Sequence, residues 1–177
     1  MTMMLAKAAA SGLTMAFLLK KHRGYTELTT ILFSVMYALC SFFVVQTMNP
    51  MWLDGIVGLP LVVIGVERVC NDRKFLLYIL SLVYVFTANF YIGYMIGIFS
   101  ALYFLYYLAS GKSTNSHVGE YCGAVLMYGC ASVSAILMSC FMIIPVYKSL
   151  ANGKFEFTEP DYSLAESFDI ADIFVKL

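Results

Sequence analysis

Apolar runs separated by short polar stretches make up most of this chain. Residues 3–19, 28–45, 51–66, 75–88, 93–108 and 121–144 are almost wholly hydrophobic and read as helices that cross or partly enter a bilayer. Lys7 interrupts the first run. Its Ala6, Ala8, Ala10 and Gly12 have the small-residue spacing that lets another helix pack closely. Lys20, Lys21 and Arg23 follow this run instead of preceding it, the wrong order for a signal peptide. Pro60 lies inside the third run and cannot donate to the Ile56 carbonyl, which predicts a kink there. As one helix, residues 75–107 would extend about 50 Å across a hydrocarbon core of about 30 Å. Asn89-Phe90-Tyr91-Ile92-Gly93 is the natural break and divides the run into two short segments, a broken hairpin. Gly93 and Gly97 form a GxxxG pair within it. A Gly/Ser/Thr/Asn-rich linker over 109–119 precedes the last run, which is expected to end at Pro145.

These runs predict an all-α integral membrane protein with about six transmembrane or partly penetrating helices in residues 1–145. Residues 146–177 form a tail of another character, with six acids against three lysines. Tyr162, Leu164, Phe168, Ile170, Ile173 and Phe174 could line one face of a helix after Pro160, and Ser163 with Glu166 has capping-box spacing. Composition agrees with a membrane location. Hydrophobic residues are 61% of the chain and charged ones only 12%, against about 25% in a soluble domain.

Formal net charge is zero, and neither a basic stripe nor a recognition motif supports nucleic-acid binding. The distribution of charge is more informative. Loops at 20–27, 67–74 and 109–120 share one side and carry three, three and one Lys or Arg; those at 46–52 and 89–92 carry none. The positive-inside rule makes the first set cytoplasmic and puts the tail outside.

Candidate chemistry gathers at the side without basic residues. In Asn49-Pro50-Met51-Trp52-Leu53-Asp54-Gly55, Asn49 is expected as a helix N-cap, Pro50 as the first helical residue and Trp52 as an interfacial anchor. Asp54 is an acid at the edge of hydrocarbon. It serves either as a first-turn carboxylate favoured by the helix dipole or as a secondary catalytic acid. Asn89, Tyr91 and Tyr94 are polar groups at a second helix break, and with Asn49, Trp52 and Asp54 they could surround a sugar's hydroxyls.

Structural roles compete for each of these residues: a turn for Asn89, an aromatic belt for the tyrosines. Glu67, Arg68, Asp72 and Arg73 read as a solvated loop. Five cysteines without metal-ligand spacing read as packing residues, and His22 and His117 as loop residues. No GxSxG, HExxH, P-loop, GxGxxG or zinc spacing occurs, so no metal site or cofactor is evident, and any divalent-metal requirement is unknown.

Met51-Trp52-Leu53-Asp54-Gly55-Ile56, Leu59-Pro60-Leu61 and Glu67-Arg68 resemble a segment of YfhO-like bacterial membrane proteins. Asn89-Phe90-Tyr91-Ile92-Gly93-Tyr94-Met95 and Ile98-Phe99 extend the match in order along most of the chain. That family is similar to GT-C-type glycosyltransferases. The resemblance implies a membrane lipid and a polyprenyl-phosphate-linked sugar as partners, with transfer to a cell-envelope polymer such as lipoteichoic acid. By resemblance Trp52, Asp54, Asn89 and Tyr91 line the site. Family proteins are several times longer and place their principal catalytic acid in an earlier loop, so this chain is expected to be an internal or truncated portion. The alternatives are a transporter or flippase-like protein, or a non-catalytic fragment or subunit.

Overall fold

A computed structural model describes residues 2–46, 49–110 and 118–153, and the expected tail helix and His117 lie outside them. Every regular element among the described residues is helical. α1 (Thr2–Phe17) runs into a π-turn over Leu18–His22, followed by α2 (Glu27–Ala38) and α3 (Ser41–Val45). A 3₁₀ turn (Pro50–Trp52) leads into α4 (Leu53–Asp72), α5 (Leu76–Ala88), α6 (Phe90–Ala109), α7 (Val118–Met138) and α8 (Cys140–Gly153). By internal contacts the chain divides into Met1–Pro145 and Val146–Leu177.

Among the described residues, four stretches are long and apolar enough to cross a membrane: Thr2–Lys20, Glu27–Val45, Phe90–Ala109 and Tyr121–Met138. With the shorter apolar helices they make this an all-α membrane protein. α4 is as long as α6 but carries Asp54, Glu67, Arg68 and Asp72. It is also the enclosed helix, with 13 of its 20 residues buried, and α1, α5, α6 and α7 pack around it. An all-round buried helix needs no lipid-facing stripe, so its charges can be matched by neighbours.

Small residues set how closely those neighbours approach. A Cβ added at Gly65 would lie 2.7 Å from the Tyr78 Cα, so the α4 and α5 backbones meet there. Gly93 repeats this between α6 and α5, with the Phe86 Cα 2.9 Å from the added carbon. Of the GxxxG pair only Gly93 is required by packing; Gly97 has ordinary room. Val62, Val66 and Val69 of α4 then form a common core with Tyr78, Leu82 and Val85 of α5, closed by Phe104 and Ala131. Gly65→Ala is expected to cost about 1–3 kcal/mol, because the obstacle is backbone that cannot rotate away. Unfolding titrations in mixed detergent micelles measure it; an unchanged midpoint would show that the two helices can part freely.

Several expected boundaries move. The span expected over 28–45 divides at Leu39 and Cys40, with no Pro or Gly to mark the break. α4 continues through 67–72, a stretch whose polarity predicts a loop, because Glu67 finds partners inside the protein. The hairpin break is one residue, Asn89, so α6 is a full 20-residue helix and only α5 is short. The last apolar run ends as α7 at Met138, and α8 passes through Pro145 instead of stopping there.

Pro60 leaves the Ile56 carbonyl without its helical donor, and the Tyr37 hydroxyl of α2 fills that place at 2.7 Å. Removing an N–H from one helix thus creates an acceptor that holds another. The fold meets the cost of the proline by tertiary contact.

Candidate functional site

Two polar clusters occupy opposite ends of α4, about 20 Å apart along its axis. At the N-terminal end, Asp54 lies in the first turn, and both its oxygens are engaged. Lys7 Nζ donates to Oδ2 at 2.8 Å, and the Tyr84 hydroxyl donates to Oδ1 at 3.2 Å. Lys7 also donates to the Pro50 carbonyl at 2.7 Å, which anchors the 3₁₀ turn to α1. Lys7 and Asp54 are each 17% exposed, so the pair is largely withdrawn from solvent but open at one side. Lys7 is therefore the partner of Asp54. A lone cation inside one apolar run and a lone acid at the head of another was the sequence signal that could have joined them.

The two expected polar elements meet in part. Trp52 and Tyr91 have ring centroids 5.9 Å apart, and the space over Gly55 is filled by Ile92, so α4 and α6 begin side by side. Asn89 is committed to the backbone: its side-chain oxygen accepts from the N–H groups of Tyr91 at 3.0 Å and Ile92 at 3.3 Å. That cap lets α6 start one residue after α5 ends. Asn49 is exposed at the head of the 3₁₀ turn and makes no side-chain cap, unlike the expected N-cap. Tyr94 is directed elsewhere. It lines a groove of about 350 Å³ between α5, α6 and α7, together with Phe86, Ile98 and Ile136.

The other end of α4 holds a cluster that sequence reasoning missed. Glu67 is only 4% exposed, and its Oε1 accepts from Arg23 at 2.5 Å and from the Tyr103 hydroxyl. Arg23 also donates to the Tyr103 hydroxyl at 3.0 Å. Burial by itself lowers the Arg23 pKa, but the adjacent Glu67 and Tyr103 more than offset it and the net direction is upward. Asn71 adds a bond to the Tyr107 hydroxyl at 2.8 Å. The Glu67 cluster is closed and its charge is matched by Arg23, so it fits a structural joint between the 20–27 loop, α4 and α6.

Between the two ends, hydroxyls bind α5, α6 and α7 at membrane depth. The Tyr78 hydroxyl lies 3.2 Å from Ser100 Oγ and 3.0 Å from Ser132 Oγ, and Ser100 Oγ lies 3.0 Å from the Tyr128 hydroxyl.

Of the two ion-paired clusters, the one at Asp54 has the more exposed carboxylate and is the one that could meet a ligand. It offers an ammonium, a carboxylate and a phenol beside an aromatic pair. That set can hold an anion on Lys7 and hydroxyls on Asp54. A family model described as "Bacterial membrane protein YfhO" matches residues 1–177, whereas no curated protein and no solved structure matches the chain significantly.

Proposed function

The chain belongs to the YfhO family of bacterial membrane proteins, and from that membership we propose that it forms part of a membrane glycosyltransferase. In this reading the donor is a polyprenyl-phosphate-linked sugar and the acceptor a cell-envelope polymer such as lipoteichoic acid. The Asp54 end of α4 faces away from the cytoplasm of the inner membrane, as the basic loops on the other side imply.

The observation that carries the reading is the partly open Lys7–Asp54–Tyr84 cluster beside Trp52 and Tyr91. The donor's phosphate competes with Asp54 for the Lys7 ammonium. Its arrival releases a carboxylate oxygen next to the sugar, where Asp54 acts as a secondary acid that accepts hydrogen bonds from hydroxyls. Trp52 and Tyr91 supply apolar faces for the sugar ring; Asn49 and Tyr94 stand at the margin.

Asp54→Asn and Lys7→Met test this in the intact protein in its membrane. Each is expected to lower sugar transfer at least tenfold at equal protein level, with Lys7→Met acting mainly on the KM for the lipid-linked donor. Combining them separates function from fold. Removing both charges restores any stability lost by orphaning one of them, so a purely structural pair predicts recovered transfer in the double variant. A site predicts none. Unchanged transfer and unchanged donor binding in Asp54→Asn would remove Asp54 from the site.

A further inference from the structure

A second opening, of about 500 Å³, lies at the turn between α4 and α5, at the end of α4 remote from Asp54. Its rim is cationic and its wall apolar. Arg68, Arg73 and Lys74 stand at the rim, and Phe75, Leu76 and Leu80 run down from them. Leu76 and Leu80, one helical turn apart, are 65% and 53% exposed, so this wall faces outward from the bundle. Within the turn three cations stand with one acid, Asp72, while Glu67 is matched by Arg23.

Arg73 adds an independent observation. It caps α4 in the left-handed region, at φ 54° and ψ 30°, and is the only non-glycine residue with positive φ among those described. Gly or Asn is the ordinary occupant of such a position, and a long side chain there is strained. The backbone strain places a guanidinium at this groove where a residue without a side chain would terminate the helix better.

The geometry points to a binding site for one anionic glycerophospholipid at the α4–α5 turn. The phosphate and headgroup engage Arg68, Arg73 and Lys74, and an acyl chain lies along Phe75, Leu76 and Leu80. A cationic rim above an outward apolar wall, at the end of a membrane helix pair, matches a lipid's own order of charge and hydrocarbon. A free phosphate would use the rim and leave the wall uncovered. A polypeptide segment would cover the wall but has no need of the cations.

The test uses the intact protein in maltoside micelles, with its thermal midpoint titrated against phosphatidylglycerol, phosphatidylcholine and glycerol phosphate. Phosphatidylglycerol is expected to raise the midpoint by several degrees at concentrations where phosphatidylcholine and glycerol phosphate do little. Arg73→Gly relieves the strained backbone, so it is expected to fold at least as well as the parent while needing about fivefold more lipid for the same shift. Replacing Arg68, Arg73 and Lys74 together by Gln is expected to weaken the response on the order of a hundredfold. Equal shifts from phosphatidylcholine, a full shift from glycerol phosphate alone, or an unaltered titration in Arg73→Gly would each overturn the assignment.

Discussion

Arg23→Met is expected to destabilise the protein by about 3–5 kcal/mol, the cost of taking a cationic partner from a buried carboxylate. Glu67 is 4% exposed and Arg23 is its cationic partner, with Tyr103 donating to the same oxygen. The reverse change is milder. Arg23 is 37% exposed on its side chain, so after Glu67→Gln it can turn to water while the new carboxamide keeps an acceptor oxygen for Tyr103. The expected cost of Glu67→Gln is about 1 kcal/mol. Introducing Arg23→Met into that background should add little beyond lost packing, because no charge is then left buried. Unfolding in mixed detergent micelles, run on the two single variants and the double, measures the asymmetry. Equal costs for the two single variants would mean that Glu67 reaches water, contrary to its position in the fold.

The second large effect is expected at Tyr78. Its side chain is fully enclosed where α5 meets α4, α6 and α7, and its ring centroid lies 5.2 Å from that of Tyr128. Tyr78→Ala removes an aromatic ring from the tightest part of the core, at an expected cost of about 3–5 kcal/mol. Tyr78→Phe keeps the ring and deletes only the hydroxyl shared with Ser100 and Ser132, for which about 1 kcal/mol is expected in a membrane interior. The ratio of the two is the informative quantity. If Tyr78→Phe costs as much as Tyr78→Ala, the hydroxyl chain and not the ring holds α5 to α6 and α7. If both are nearly neutral, this core is not the part that limits unfolding.

Apolar run length and turn chemistry made the helices legible, and for a direct reason. A backbone in hydrocarbon must satisfy its hydrogen bonds internally, so a long uncharged run has few conformations open to it. Asn89 was visible as a break for the same kind of local reason, since its side chain can replace the donors and acceptors lost at a helix end. The break at Leu39 and Cys40 carried no such mark, and the continuation of α4 past Glu67 contradicted local polarity. Both depend on what stands opposite.

Residue order alone was enough to identify a helical membrane protein, to locate its apolar runs, and to put Trp52 and Asp54 at the head of the third. Those features follow from interactions between residues a few positions apart, or between a residue and its solvent. Packing in three dimensions was needed to make α4 the enclosed helix, to lay Lys7 against Asp54, and to close Arg23 on Glu67 across 44 positions. Ion pairs of that kind act over a few ångströms but link distant parts of the chain. No local pattern of charge records which cation will arrive beside which acid.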